Sequence, residues 1–157
     1  ARDIRISRQE AQQYISSYFA RYPKVKAFIE RTVADAHEKG YVTTILKRRR
    51  YLPELFSANR TVRSFGERTA INTSIQGSAA DIIKLAMVRI HRELKERGLA
   101  ARMILQVHDE LIFDVPQEEL AELKELVREH MENALELAVP LTVEVKAGPS
   151  WYEVRPV

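Results

Sequence analysis

Apolar residues follow a helical spacing near the start of the chain. Between residues 8 and 21 they recur three and four positions apart, the period of a helix with one buried face. The positions of this face are Ala11, Tyr14, Ile15, Tyr18 and Phe19. Ser7 and Glu10 have the spacing of a capping box, and Tyr22-Pro23 precedes a second helix that ends at Gly40. We expect the aromatic stripe to be core rather than a stacking platform for bases.

A short strand, a basic run and a loop follow. Residues 40–46 are rich in β-branched side chains and predict the strand, whereas residues 54–64 lack a sustained period and predict a surface loop. Between them, residues 47–50 are four consecutive cations. Phosphate would favour such a run because its neutralisation releases counterions. A solvated loop is the other interpretation, and the residues alone do not separate the two.

Helical patterns return over residues 65–75 and 79–98. Gly77-Ser78 predicts a break between them, with Ser78 and Asp81 capping the second helix. A first-turn aspartate is explained by free N–H groups and the helix dipole, so we do not assign Asp81 to a site. In the first helix, Arg68, Asn72 and Gln76 are four residues apart and would share one face. Such a stripe suits sequence-independent contacts to a duplex minor groove, although the spacing alone favours a solvent-facing polar stripe.

The next pattern is a pair of short apolar runs interrupted by charge. Residues 103–107 and 111–115 predict two strands of a buried hairpin with His108, Asp109 and Glu110 at its tip. Adjacent carboxylates at the end of buried strands are costly unless they are solvated, paired or ligated, and a divalent cation meets that need. The hairpin therefore indicates a magnesium site, with a plain polar turn as the alternative.

After the hairpin the pattern predicts a long helix and one more strand. The helix begins near Pro116 and keeps an apolar stripe as far as Ala138. Residues 141–145 alternate apolar and polar side chains, so we expect an antiparallel strand beside the hairpin, with Trp151 and Tyr152 sealing the core. Strands on one side and helices behind them make an α+β fold with an antiparallel sheet.

Composition narrows the class of protein. The chain has 157 residues, a net charge of +3 and no cysteine. The size suits one domain or part of one, the weak positive charge is compatible with nucleic acid, and disulfides and thiolate metal sites are excluded. No apolar run is long enough for a membrane span, so no membrane partner is expected. Ala1 is neither an initiator methionine nor the start of a signal segment, and we expect it not to be a natural N-terminus.

Two extended motifs carry a resemblance to a known family. Residues 106–111, Gln-Val-His-Asp-Glu-Leu, resemble the third polymerase motif of the bacterial DNA polymerase I family, family A. Residues 67–84, Glu-Arg-Thr-Ala-Ile-Asn-Thr-Ser-Ile-Gln-Gly-Ser-Ala-Ala-Asp-Ile-Ile-Lys, resemble another signature in order and spacing, and residues 139–145 and 148–151 resemble the C-terminal end. The basic run is similar to the family's Gly-Arg-Arg-Arg-Tyr-Leu-Pro stretch, except that Lys47 stands where glycine is usual. The likeness runs the length of the chain.

The resemblance implies a function and a set of residues. It implies addition of deoxynucleoside triphosphates to a primer 3′-end by two-metal phosphoryl transfer. Asp109 would bind Mg²⁺ and act in catalysis with Glu110 as a helper. One of the two ions would be shared with a carboxylate outside this chain. Arg68, Asn72, Gln76 and His108 would contact primer–template DNA. The basic run would be partly structural and partly DNA-facing.

The same resemblance implies an incomplete polymerase domain. Residues 1–76 would be the C-terminal part of the fingers and the return to the palm, and residues 77–157 a palm part with the catalytic hairpin. The family's Asp-Tyr-Ser type motif and its nucleotide-binding helix do not occur in the sequence. We therefore expect the chain to be inactive without the preceding palm and fingers segments, and to work in the cytoplasm, in association with the nucleoid.

Two other functions are compatible with parts of the sequence. A non-catalytic nucleic-acid-binding module would keep the Arg68, Asn72 and Gln76 stripe without chemistry. A metal-dependent nuclease would need a second carboxylate near Asp109, and Asp114 or Glu144 are the nearby strand candidates.

Overall fold

The computed structural model describes residues 6–157, and these residues form an α+β fold, as predicted. Contacts divide the chain into two compact units, one ending at Gly77 and one beginning at Ser78. The division into a fingers remainder and a palm part stays a prediction. The helices are α1 (Arg8–Arg21), α2 (Pro23–Lys39), α3 (Arg60–Glu96) and α4 (Leu120–Glu132). The strands are β1 (Tyr41–Thr43), β2 (Arg49–Tyr51), β3 (Arg102–Val107), β4 (Glu110–Asp114), β5 (Lys146–Ala147) and β6 (Arg155–Pro156).

Helices α1 and α2 begin and end as predicted. The Ser7 hydroxyl accepts from the Glu10 N–H at 3.1 Å, and the Glu10 carboxylate accepts from the Ser7 N–H at 2.8 Å. Hydrogen bonds to the Glu10 carboxylate from the Ser7 side chain, which has the larger effect, and from the Ser7 backbone N–H lower the pKa of this exposed carboxyl. Gly40 ends α2 with a φ of 75°, which glycine adopts without strain.

The predicted burial of the α1 aromatic stripe is wrong. No residue of α1 is buried, and Tyr14, Ile15 and Tyr18 are exposed. An apolar stripe is buried only where another element covers it. In α1, aromatic rings of the stripe instead contact neighbouring aromatic rings. The Tyr18 ring centroid lies 5.5 Å from that of Phe19 and 5.1 Å from that of Tyr22.

Strands β1 and β2 form an antiparallel hairpin within the first unit. Its turn places Lys47 at a φ of 66°, a conformation that glycine would adopt more easily. The chain then forms a 3₁₀ turn, Pro53–Phe56, in which Leu55 is buried. The surface-loop prediction for residues 54–64 is therefore wrong, since α3 already begins at Arg60. The buried cluster of this unit consists of Ala36, Val42, Leu52, Leu55 and Ala70.

Helix α3 continues through Gly77, so the predicted break is wrong. A Cβ at Gly77 would lie 2.7 Å from the Thr44 Cγ2, which shows that the missing side chain makes room for β1–β2 rather than ending the helix. Glycine inside a helix costs about 1 kcal/mol, which such packing can offset. The capping interpretation of Asp81 fails with the break, because Asp81 is buried in the middle of α3.

The second unit has its own apolar core. It joins the latter part of α3 to the face of α4, and Met103, Leu111 and Phe113 of the β3–β4 hairpin pack against it. Glu119 ties the entry of β3 to the start of α4, because its carboxylate accepts from the N–H groups of Ala100 at 2.9 Å and Ala101 at 2.8 Å. The buried members of the core are Ala86, Ile90, Leu94, Ala101, Leu123, Leu126, Val127 and Ala134.

Three predictions for the C-terminal region are wrong. Helix α4 ends at Glu132 rather than near Ala138. Residues 141–145 form no strand, because the Val143 N–H donates to the Glu132 carboxylate at 3.0 Å instead of to a neighbouring strand. Trp151 and Tyr152 lie exposed in a 3₁₀ turn rather than sealing the core. The described sheets are accordingly three separate two-stranded antiparallel pairs.

Within residues 6–157, no helix combines the length and the apolar character needed to cross a membrane.

Candidate active-site hairpin and nucleic-acid interface

The carboxylates of interest lie at the tip of the β3–β4 hairpin. Val107 pairs with Glu110, which leaves His108 and Asp109 as the two turn residues. His108 has a φ of 53°, and its carbonyl accepts from the Gln106 side-chain amide at 2.7 Å. A non-glycine residue at positive φ is strained, and the Gln106 bond holds it in place. His108, Asp109 and Glu110 are all exposed.

A β-bulge sets which side chains share a face with the tip. The register shifts between Met103 and Leu105, so that Met103 pairs with Phe113 but Leu105 pairs with Ile112. Directly opposed residues lie on one face, and residues two apart on a strand share it. Glu110 and Ile112 therefore face away from the packed Leu111 and Phe113. Bulges re-aim side chains next to functional sites.

The donors at the tip fit magnesium only as part of a larger site. Mg²⁺ takes oxygen ligands and is typically held by one or two carboxylates together with substrate phosphates and water, a role that the exposed Asp109 carboxylate can fill. Among residues 6–157, no three His, Asp or Glu side chains form a group able to hold a metal ion. A complete two-metal site therefore requires oxygen donors beyond this hairpin.

The nuclease interpretation loses its second carboxylate. Asp114 is at the far end of β4, opposite Arg102, and four strand steps from Glu110 correspond to about 13 Å at ~3.3 Å per residue. One ion cannot bridge that span. Glu144 forms an ion pair with the Lys146 ammonium at 3.1 Å. Within residues 6–157, neither residue belongs with Asp109 to a group of three or more side chains able to hold a metal ion.

The predicted DNA-contacting stripe lies on one uninterrupted helix. Arg68, Asn72 and Gln76 all belong to α3, all are exposed, and their spacing of four places them along one side. The helix runs without interruption from Arg68 to Gln76, so the three side chains stay in helical register. These side chains offer donors and acceptors without a fixed base preference.

The basic run divides into inward and outward cations. The Arg48 guanidinium donates to the Gly77 carbonyl at 3.2 Å, and the Arg50 guanidinium donates to the Thr73 hydroxyl at 3.3 Å, so both tie the β1–β2 hairpin to α3. Arg49 instead lies 4.9 Å from the centroid of the Tyr41 ring. A hydrogen bond to the Tyr51 side chain is the main reason that the pKa of Arg49 is raised, so this side chain stays charged.

Sequence reasoning missed three features of these surfaces. The bulge at Ile104, the Gln106 bond to the turn and the Tyr41–Arg49–Tyr51 cluster are not apparent from composition. The positions of Tyr41 and Arg49 relative to Lys47 could have indicated the cluster, since a turn at Lys47 brings them onto opposing strands. The bulge leaves no comparable signal, because it depends on how β4 packs.

The family model for DNA polymerase family A matches residues 1–153 of this chain. The chain therefore belongs to DNA polymerase family A. It is 52% identical over 155 residues to DNA polymerase I of Caldicellulosiruptor bescii and 54% identical over 155 residues to DNA polymerase I of Bacillus subtilis. Each alignment covers 99% of this chain and 18% of the relative, so the chain spans about a fifth of the length of these relatives.

A solved structure has the same fold. The POL domain of Pol1 from M. smegmatis, in complex with DNA primer–template and dNTP, matches with a TM-score of 0.87 and 51% identity. The match covers 90% of this chain and 25% of the Pol1 chain.

Proposed function

We propose that this chain supplies part of the active site of a DNA-directed DNA polymerase. The observation that carries the proposal is the exposed pair Asp109 and Glu110 at the tip of a packed hairpin, in a chain that belongs to family A. The substrates would be primer–template DNA and deoxynucleoside triphosphates. A relative solved with primer–template and dNTP supports both partners.

Asp109 would hold magnesium through its carboxylate, and Glu110 would assist from the first position of β4. Of the two ions in the proposed site, one would be shared with a carboxylate outside this chain. Bound there, the ions would neutralise charge on the phosphates and lower the pKa of the attacking hydroxyl. The hairpin contributes position, because Leu111 and Phe113 are anchored in the core directly after the tip.

The polar stripe and the turn would hold the nucleic acid. Arg68 would neutralise phosphate, and Asn72 and Gln76 would reach minor-groove acceptors that all base pairs share. His108 would lie near the primer end. Contacts of this kind bind DNA regardless of its sequence, as a replicating or repairing enzyme requires.

The chain would need the palm and fingers segments that precede it in a polymerase. Two metal ions require at least two placed carboxylates, and the tip provides a single adjacent pair whose members need not point at one ion. We infer that the preceding segment is a partner, covalent or separate, and that the assembled enzyme acts on DNA in the cytoplasm, at the nucleoid.

Magnesium-dependent primer extension tests the proposal. The chain is assayed alone and mixed with a second chain that carries the preceding palm and fingers. Extension only in the mixture supports the proposal, whereas extension by the chain alone refutes the need for an outside carboxylate. Salt-dependent DNA binding without extension in a folded mixture would instead favour the non-catalytic binding module.

A further inference from the structure

The β1–β2 hairpin has two chemically different faces. In an antiparallel pair, residues directly opposed share a face and neighbours along a strand alternate. Val42 pairs with Arg50 on the face toward α3, where Val42 is buried and Arg50 bonds to Thr73. Tyr41 pairs with Tyr51 and Thr43 pairs with Arg49 on the opposite face. That outer face therefore carries two phenol rings and a guanidinium.

These side chains form a connected cluster that remains open to solvent. The Tyr41 and Tyr51 ring centroids are 5.6 Å apart at an interplanar angle of 61°, and the Arg49 guanidinium carbon lies 4.9 Å from the Tyr41 centroid. Tyr51 is nevertheless 66% exposed. Cross-strand ring pairing and the cation–π contact stabilise the hairpin, but that role alone would not require an exposed ring.

The charge of the hairpin segment has a single sign. From Gly40 to Pro53 the sequence contains four cations and no acidic residue. Arg48 and Arg50 are turned toward α3, whereas Lys47 and Arg49 form no salt bridge among residues 6–157. An anionic partner is therefore favoured on this face. A guanidinium beside an exposed ring is the combination that binds unpaired bases, since the ring stacks on a base and the cation neutralises phosphate.

We propose that Tyr41, Arg49 and Tyr51, with Lys47 in the turn of the same hairpin, form a platform that binds an unpaired nucleic-acid strand. Tyr51 supplies the stacking surface, Tyr41 and Arg49 fix its orientation, and Lys47 and Arg49 neutralise phosphates. Bases in a duplex are stacked on each other and do not offer their faces, so the platform discriminates single strands from duplexes. The inference does not depend on the proposed polymerase function, because it concerns binding without magnesium, nucleotide or a second chain.

Fluorescence anisotropy with the full chain tests the platform. The probes are a labelled thymidine single strand of about 12 nucleotides, within the ~4–16 nucleotides that a single-strand-binding OB fold occupies, and a duplex of equal length. The variants are Tyr51→Leu, which keeps apolar bulk without a ring face, Tyr51→Phe, which keeps the ring, and Arg49→Gln. Tyr152→Leu is the matched control, because Tyr152 is 98% exposed and lies in the other unit.

Tyr51→Leu should weaken single-strand binding about 10-fold and duplex binding much less. Tyr51→Phe should recover most of that loss because it keeps the ring face, and Tyr152→Leu should stay close to the unchanged chain. Arg49→Gln should lower the salt dependence by about one phosphate contact. The proposal is overturned if the unchanged chain does not bind the single strand, or if Tyr51→Leu binds it as tightly as Tyr152→Leu does. It is also overturned if Tyr51→Leu lowers the affinity for the single strand and for the duplex by the same factor.

A second measurement guards against misfolding of the Tyr51→Leu variant. Photo-crosslinking of the single strand to the unchanged chain, mapped by mass spectrometry, should label the segment that contains Tyr41 and Tyr51. Labelling elsewhere overturns the proposal. Because neither assay involves synthesis, a failure of primer extension would leave this result standing, and the reverse also holds.

Discussion

Replacing Gly77 by alanine tests how the β1–β2 hairpin is seated on α3. In an unpacked helix interior, glycine to alanine would stabilise the fold by about 1 kcal/mol, because alanine restricts the unfolded chain and favours the helix. Here the new Cβ would lie 2.7 Å from the Thr44 Cγ2 and 3.7 Å from the Thr73 Cγ2. Favourable carbon–carbon contacts begin near 3.5 Å. The substitution therefore forces a displacement.

The Thr44 side chain has little freedom to move. Thr44 is only 5% exposed, and its hydroxyl accepts from the Arg48 N–H at 3.2 Å in the hairpin turn. Overpacking a rigid site costs about 1–3 kcal/mol. The upper end of this range, about 3 kcal/mol, applies because Thr44 is held in place. Helix propensity offsets about 1 kcal/mol of it, so Gly77→Ala should destabilise the chain by about 2 kcal/mol.

Urea unfolding followed by far-UV circular dichroism measures this loss, as a lower midpoint at unchanged slope. Ala79→Gly, at an exposed position of the same helix, calibrates the propensity term at about 1 kcal/mol. Thr44→Ser removes the clashing methyl and keeps the hydroxyl. The double variant Gly77→Ala with Thr44→Ser should therefore be about 2 kcal/mol more stable than the sum of the two single effects predicts. The reasoning is refuted if Gly77→Ala is as stable as the unchanged chain, or if the two changes add.

Two further predictions concern carboxylates that accept hydrogen bonds from backbone N–H groups. Glu119→Ala should destabilise the second unit by about 2 kcal/mol, because it leaves the Ala100 and Ala101 N–H groups without their acceptor. Glu118→Ala, at the exposed neighbouring position, is the control. Equal urea midpoints for the two variants would contradict the prediction. For Glu10, whose pKa is lowered by its contacts with Ser7, the contribution to α1 is present above the ordinary carboxyl pKa and lost as the pH falls through the lowered value. An NMR titration should show the Glu10 pKa rising toward its ordinary value in Ser7→Ala, and an unchanged pKa would rule out the capping box as its cause.

Local signals in the sequence located most helices and the β3–β4 hairpin. The Ser7 and Glu10 spacing, the Pro23 start and the Gly40 end are complete within a few residues, so neighbours decide them. The position of the turn at His108 and Asp109 could also be predicted from adjacent sequence, because an apolar run lies on each side of it. The assignment of Asp109, Glu110 and the α3 stripe to catalysis and DNA contact came from extended motifs, and stays a prediction.

The predictions that were wrong concern features that depend on residues far away in the sequence. Gly77 appeared to end a helix because the Thr44 methyl that requires its missing side chain is more than thirty residues away in the chain. Residues 141–145 have strand periodicity, but a strand also needs a neighbour, and the Val143 N–H bonds to Glu132 instead. The α1 stripe has the period of a buried face, while burial depends on a covering element. Periodicity determines which side chains share a face, not what that face meets.

The most direct test of the central claim is a charge-neutral substitution at the hairpin tip. Asp109→Asn is compared with Asp114→Asn in the mixture with the preceding palm and fingers, because both aspartates are exposed on the same hairpin but only Asp109 is at its tip. Primer extension and primer–template affinity are measured on the same samples. Loss of a metal-binding carboxylate should slow extension by Asp109→Asn at least ~100-fold with affinity nearly unchanged, while Asp114→Asn extends normally. Near-normal extension by Asp109→Asn would contradict the assignment of the hairpin tip to catalysis.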